Sequence, residues 1–301
     1  MKEDSMKRVI IDFDNTMGVP GCDVDDGLAL LYLLGCDDVA VEAVCTTYGN
    51  NRIEVVDENT RRILDVWDIE LPAARGAGEP MRHEPDSLEA AELIARKLAD
   101  APGEVRLLAT GSTTNLGLAE RIAEGTLEKA ASITLMGGVT ESLVINGRIM
   151  DELNLSCDPE ATARILKSGA PLTIATANLC LPAFFTREDL IEVFGETSWF
   201  YETCDDWFKT MEAEYAWNGW TCWDVVAAAA LVHPELFEHH HHDVTVYERF
   251  LSVGYLECDR LAPSEGIALA SVDTPSIVDA QAFKDHVKEA WARGASRVAV
   301  N

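Results

Sequence analysis

Short apolar runs recur along the first two thirds of the chain, each followed by a longer stretch whose apolar residues repeat at helical spacing. Residues 9–11 (Val-Ile-Ile), 39–47, 105–110, 133–136 and 172–175 read as buried strands. Between them, residues 27–34, 53–66, 86–99, the stretch from Leu116 and the stretch from Asp158 read as helices. Steady strand–helix alternation from about residue 9 to 179 predicts an α/β fold: a doubly wound, mostly parallel sheet with helices on both faces. Asp86, with Glu89 three residues on, is placed as the N-cap of its helix, and Asp158-Pro159-Glu160 opens another. Residues 73–85, rich in Gly and Pro, read as a loop.

The last third is less regular. Residues 197–223 are dense in aromatics and read as a helical flap, after which Asp224 opens an apolar helix over 225–232. Residues 244–247 and 267–271 read as strands, and 280–293 as a final amphipathic helix. The four histidines from His239 to His242 read as an exposed loop, because no other ligand types surround them. No linker, low-complexity tract or repeat interrupts the chain, so residues 1–301 are expected to form one domain.

Composition narrows the partners. Fifty-two acidic residues against 24 basic leave a net charge of −28. That disfavours nucleic-acid polymers and anionic membranes, which require basic surface. The eight cysteines include no C-x-x-C pair, a pattern of reduced thiols in a cytoplasmic protein. Residues 1–10 lack the apolar run of a signal peptide.

Candidate chemistry concentrates between the first strand and the first helix, where Asp12, Asp14, Asp23, Asp25 and Asp26 crowd into 15 residues. Asp25 and Asp26 alone could be helix-start residues favoured by the dipole. Five carboxylates together repel unless a cation or protons neutralise them, and hard oxygen donors suit Ca²⁺ or Mg²⁺. More polar residues follow later strands: Asn50 after the second, Thr110-Gly111 after the third, Gly137-Gly138 after the fourth. At the carboxyl edge of one sheet, these would line a single pocket.

Two resemblances follow. Asp12-Phe13-Asp14-Asn15-Thr16 resembles the D-x-D-x-T motif of haloacid-dehalogenase-type phosphatases, in which Asp12 would be the nucleophile. The wider resemblance is to the inosine–uridine-preferring nucleoside hydrolases. Their D-x-D-P-G-x-D-D-x-x-A motif is similar to Asp12-Phe13-Asp14 together with Asp25-Asp26-Gly27-Leu28-Ala29. Thr46-Thr47-Tyr48-Gly49-Asn50, Thr110-Gly111-Ser112-Thr113-Thr114-Asn115, Leu135-Met136-Gly137-Gly138, and Asn146 with Glu152-Leu153-Asn154 and Asp158-Pro159-Glu160-Ala161 follow in family order. Two departures stand out: the loop at residues 15–24 is longer and carries Asp23, and Trp223-Asp224-Val225 stands where the family often has H-D-P.

The hydrolase resemblance implies cleavage of the N-glycosidic bond of a ribonucleoside to ribose and free base, as in purine or pyrimidine salvage. It implies Ca²⁺ held by Asp14, Asp26, Asp224 and the Thr110 carbonyl, with Asp14, directly at the strand end, rather than Asp23 as both ligand and general base. Asp25, Asn50, Asn146, Glu152 and Asn154 would hold the ribose hydroxyls. With the family histidine absent, Trp223, Tyr201, Trp217, Trp220 and Cys222 are the candidates for contact with the leaving base; the bland alternative is that these aromatics form the flap's own core. A homodimer or homotetramer is implied by the resemblance alone. A non-catalytic nucleoside- or ribose-binding protein is the third reading.

Overall fold

The computed structural model describes residues 6–259 and 268–299. The elements run β1 (Lys7–Phe13), α1 (Asp25–Gly35), β2 (Val39–Thr46), α2 (Ile53–Val66), β3 (Ala73–Arg75), α3 (Glu89–Asp100), β4 (Val105–Ala109), α4 (Thr114–Ile122) and β5 (Ser132–Met136). A small hairpin, β6 (Val144–Ile145) and β7 (Arg148–Ile149), precedes α5 (Pro159–Leu166), β8 (Leu172–Ala175) and α6 (Ala177–Cys180). Then come β9 (Phe184–Thr186), α7 (Arg187–Phe194), α8 (Trp199–Tyr215), β10 (Gly219–Thr221) and α9 (Trp223–Val232). The chain finishes with β11 (Phe237–Val246), α10 (Glu248–Leu251), β12 (Ala268–Ile277) and α11 (Ala280–Arg297).

Eight strands form the main sheet in the order β11-β12-β8-β5-β4-β1-β2-β3. Every neighbouring pair is parallel except β11–β12. Strands buried on both faces read as continuous apolar runs, and β1 shows why: Val9, Ile11 and Phe13 face one core with α1, α9 and α11, while Ile10 faces the other with α3, α4 and α5. The order reverses between β1 and β4, so the crevice beyond their carboxyl ends is the switch point where α/β folds place ligands.

Helix α11 fixes the helix that opens that crevice. A Cβ on Gly35 would lie 1.9 Å from the Ala290 carbonyl oxygen, and one on Gly294 would lie 2.3 Å from that of Leu31. Only glycines permit α1 and α11 to pack this closely. Trp291 Nε1 adds a hydrogen bond to the Leu28 carbonyl at 3.0 Å.

Three local expectations are corrected. His239–His242 belong to β11, whose ten residues pair with β12; histidines carry no apolar alternation, so only the partner strand reveals them. Residues 73–85 are not wholly loop, because β3 adds an edge strand to β2. Asp86 does not cap α3; its carboxylate takes the Gly78 N–H at 2.7 Å and faces Arg75, tying down the preceding loop. Asp158 does cap α5, accepting the Ala161 N–H at 3.1 Å. The expected strand at 267–271 begins at residue 268 among the described residues, Ile267 lying outside them.

Candidate active site

Four segments converge on the crevice. Phe13 is the last residue of β1, and Asp14 lies just beyond it, completely buried. The Asn50 backbone N–H reaches Asp14 Oδ2 at 2.6 Å, and the Asn50 amide lies 3.3 Å from Asp14 Oδ1 and 3.4 Å from Asp26 Oδ2. Gly49 permits this approach: a Cβ there would sit 1.9 Å from Asp14 Oδ2. Asp25 and Asp26 form the first turn of α1 and Asp224 that of α9, so the positive ends of two helix dipoles point at the carboxylates. Oxygens of Asp25, Asp26 and Asp224 lie within 4.8 Å of one another.

Carboxylates packed so closely in a buried place resist ionising. Burial raises Asp14 to about 6, with the charge of Asp25 adding to it. Burial, then the neighbouring aspartates, push Asp26 and Asp224 well above the usual range. No Lys, Arg or His lines the cavity among the described residues. An all-oxygen donor set with unneutralised charge fits a hard divalent cation.

The remaining predicted residues divide. Thr110 follows β4; its hydroxyl donates to Asp26 at 2.8 Å, and its carbonyl accepts from Asn154 at 2.8 Å. Glu152 accepts the N–H groups of Gly138, Leu155 and Ser156 at 3.0, 2.7 and 2.9 Å, which holds the loop it belongs to. Asp25, Asn50, Thr110, Glu152, Asn154 and Asp224 line a cavity of about 230 Å³. Asp23 lines it too, and one of its carboxylate oxygens, Oδ1, accepts the Val24 and Asp25 N–H groups at 2.6 and 3.2 Å.

Asn146 does not reach the cavity. It occupies the β6–β7 turn with φ 49°, a left-handed conformation asparagine tolerates, and its amide donates to the carbonyls of Tyr215 and Ala216 at 3.1 and 3.0 Å. Asp12, on the Ile10 side of β1, turns the other way. It accepts from Asn115 of α4 at 2.8 Å, and burial raises it to about 8.

Opposite the carboxylate floor the cavity is aromatic. Trp220 and Trp223 line it, packed edge to face with centroids 4.6 Å apart, and Trp223 Nε1 donates to the Ala177 carbonyl at 3.1 Å. Tyr201, Trp217 and Cys222 do not line it; Trp217 stacks on Phe184, and Cys222 is buried at the start of α9. The sequence reading missed Trp207, Met211, Glu214 and Tyr215, which all line the cavity from α8. Their spacing of i, i+4, i+7 and i+8 marks one helix face, a signal the density of aromatics obscured.

A switch-point crevice with a buried acidic floor and an aromatic wall defines a site for a small polar molecule carrying a flat apolar part. The chain belongs to the inosine-uridine preferring nucleoside hydrolase family, whose model matches residues 9–285. It is 27% identical over 262 residues to Probable uridine nucleosidase 2 of Oryza sativa subsp. japonica, covering 77% of this chain and 75% of that one. It is 29% identical over 261 residues to the pyrimidine-specific ribonucleoside hydrolase RihA of Photobacterium profundum, covering 77% and 81%. Among solved structures, a plant nucleoside hydrolase, the PpNRh1 enzyme, superposes with a TM-score of 0.82 at 21% identity over 95% of this chain and 99% of that one. The purine-preferring ribonucleoside hydrolase from Gardnerella vaginalis gives 0.81 at 21% identity over 96% and 99%. At that identity the superpositions establish the fold alone. The protein is an enzyme that hydrolyses ribonucleosides to base and ribose. No helix among the described residues is long and apolar enough to cross a membrane.

Proposed function

We propose that this enzyme is a Ca²⁺-dependent ribonucleoside hydrolase acting through an oxocarbenium-like transition state. The observation that carries the reading is the convergence of Asp25, Asp26 and Asp224 beneath a cavity that, among the described residues, has no basic residue in its lining. Asp26 and Asp224, common to that trio and to the set implied by sequence, would hold the ion, with Asp14 and the Thr110 carbonyl beside them. When bound, the ion supplies positive charge that acidifies and orients a water at the anomeric carbon.

The chain's own residues do the rest. Asp14, held by the Asn50 backbone N–H at 2.6 Å, would act as the general base that takes the proton of that water. Asp25 and Glu152 offer carboxylate oxygens to the ribose hydroxyls. Asn50 and Asn154 offer their amide oxygens in the same way. Buried acceptors of this kind disfavour sugars lacking a hydroxyl, because an acceptor would go unpaired. The acidic floor also stabilises positive charge developing on the sugar. Trp220 and Trp223 form an apolar wall for the leaving base.

The buried thiols of Cys36, Cys45, Cys180, Cys204 and Cys222, none in a disulfide, support a reducing, cytoplasmic setting. A homodimer or homotetramer is the expected assembly and is measured by light scattering. The phosphatase reading has no support: Asp12, its nucleophile, is turned to Asn115 of α4, and the family model that matches is that of the nucleoside hydrolases. A purely binding role has none either.

Incubation with inosine, uridine, cytidine and adenosine, with Ca²⁺ or with a chelator, tests the proposal. Free ribose in the first condition and not in the second is expected; equal release in both removes the metal from the mechanism.

A further inference from the structure

The cavity has an anomaly at its leaving-group end. A neutral base expelled as an anion needs a proton donor, yet no His, Lys or Arg lines the cavity among the described residues. Trp223, beside Asp224, has an indole N–H already spent on the Ala177 carbonyl. The phenol of Tyr215 is a poor acid, pushed upward by burial and by the nearby charges of Glu214 and Asp151. What stands there instead is an aromatic wall with an acidic rim. Trp207 and Trp223 flank Trp220 edge to face at centroid distances of 5.1 and 4.6 Å, and Met150 and Met211 add polarisable sulfur. Asp151 and Glu214 bring exposed carboxylates to the lining, while Arg148 bonds the Glu214 backbone carbonyl and does not line the cavity.

Indole faces bordered by carboxylates attract cations. We infer that the substrate class this cavity favours is ribonucleosides whose base already carries a positive charge, such as N-ribosylpyridinium compounds and N7-alkylated purine ribosides. The inference rests on the hydrolase reading above. With such a substrate the C1′–N bond breaks, its electron pair neutralises the ring, and the base departs uncharged with no proton supplied. Water forms the new C1′–O bond, and its proton passes to a floor carboxylate and then to solvent. The products are ribose, neutral heterocycle and one proton. The absent acid is thereby unnecessary, and the aromatic wall holds the cation until the bond breaks.

The test compares initial rates of the Ca²⁺-loaded enzyme on inosine and 7-methylinosine in mildly acidic buffer, where the methylated base keeps its N1 proton and the two differ by one methyl group and one charge. N-Ribosylnicotinamide serves as the pyridinium probe and p-nitrophenyl β-D-ribofuranoside as a reference whose leaving group needs no proton. The expected kcat/KM for 7-methylinosine exceeds that for inosine by about 100-fold or more, the effect of two tenfold steps in barrier. Because the methylated bond is intrinsically weaker, the ratio is measured again in Trp207→Leu and in the Asp151→Asn, Glu214→Gln double variant, where it should fall about tenfold. A ratio near one with the reference substrate still cleaved overturns the inference and leaves the hydrolase reading intact. A high ratio that persists unchanged in both variants also overturns it, since the preference would then belong to the substrate. No ribose from any substrate sinks the hydrolase reading and this inference with it.

Discussion

The backbone N–H of Asp224 donates to the side chain of Asp25 at 3.3 Å, across 199 residues of sequence. It joins the first turns of α9 and α1, the two helices that deliver carboxylates to the floor. Each helix is anchored elsewhere, α1 by α11 and α9 by the sheet, so the meeting point is set by packing on both sides.

Asp224→Asn keeps the shape and removes one charge. Metal affinity should fall by about tenfold or more, and kcat/KM by about 10²-fold or more. Calorimetric titration with Ca²⁺ and ribose-release kinetics check both, and a variant that binds and turns over like the parent would remove Asp224 from the site.

Metal and proton compete for the same oxygens. Without a cation, Asp14, Asp26 and Asp224 hold protons more tightly in the folded state than in the unfolded chain, whose carboxylates titrate near about 4. The folded state therefore binds more protons, and the metal-free protein loses stability as pH rises from about 4 through 6, the value for Asp14, and beyond. A bound cation relieves that cost. The rise in Tm on adding Ca²⁺ should accordingly be larger at pH 8 than at pH 5. A rise independent of pH, read by differential scanning calorimetry against a chelated sample, contradicts this account.

Gly49→Ala places a methyl group 1.9 Å from Asp14 Oδ2, closer than the two atoms can approach. Asp14 must shift, and a misplacement of about 1 Å costs about 10²-fold in rate. The loss should appear mainly in kcat, with circular dichroism unchanged.

Far from the cavity, His239 Nδ1 lies 2.5 Å from Asp273, which raises the histidine above its ordinary value. A raised histidine stabilises the fold fully below its unfolded value, about 6.5, and loses that effect as pH rises through the folded one. His239→Gln should therefore lower Tm more at pH 6 than at pH 9. Thermal melts at the two pH values decide it, and an equal drop at both rules out the ion pair as the cause.

Much of the floor was legible in the chain. Apolar runs of strand length gave the parallel sheet, because a strand buried on both faces needs no alternation. Carboxylates at the strand end and the helix start marked the crevice, since so many acids in a short loop demand an explanation in charge. Thr110, Glu152, Asn154 and Asp224 stood out by motif and do line the cavity.

Direction was not legible. Asp12 and Asp14 are two residues apart on one short segment, yet one turns to Asn115 and the other to Asn50. Asn146 sits in a motif beside Glu152 but is spent pinning the β6–β7 hairpin to the end of α8. Beside Trp220 and Trp223, the rest of the wall comes from one face of α8, and only its packing over the crevice shows that Trp207, Met211, Glu214 and Tyr215 look inward. Sequence determined which residues have the charge and apolar surface for the site. Tertiary structure decided which of them face the same volume, because side-chain direction depends on contacts made by segments distant along the chain.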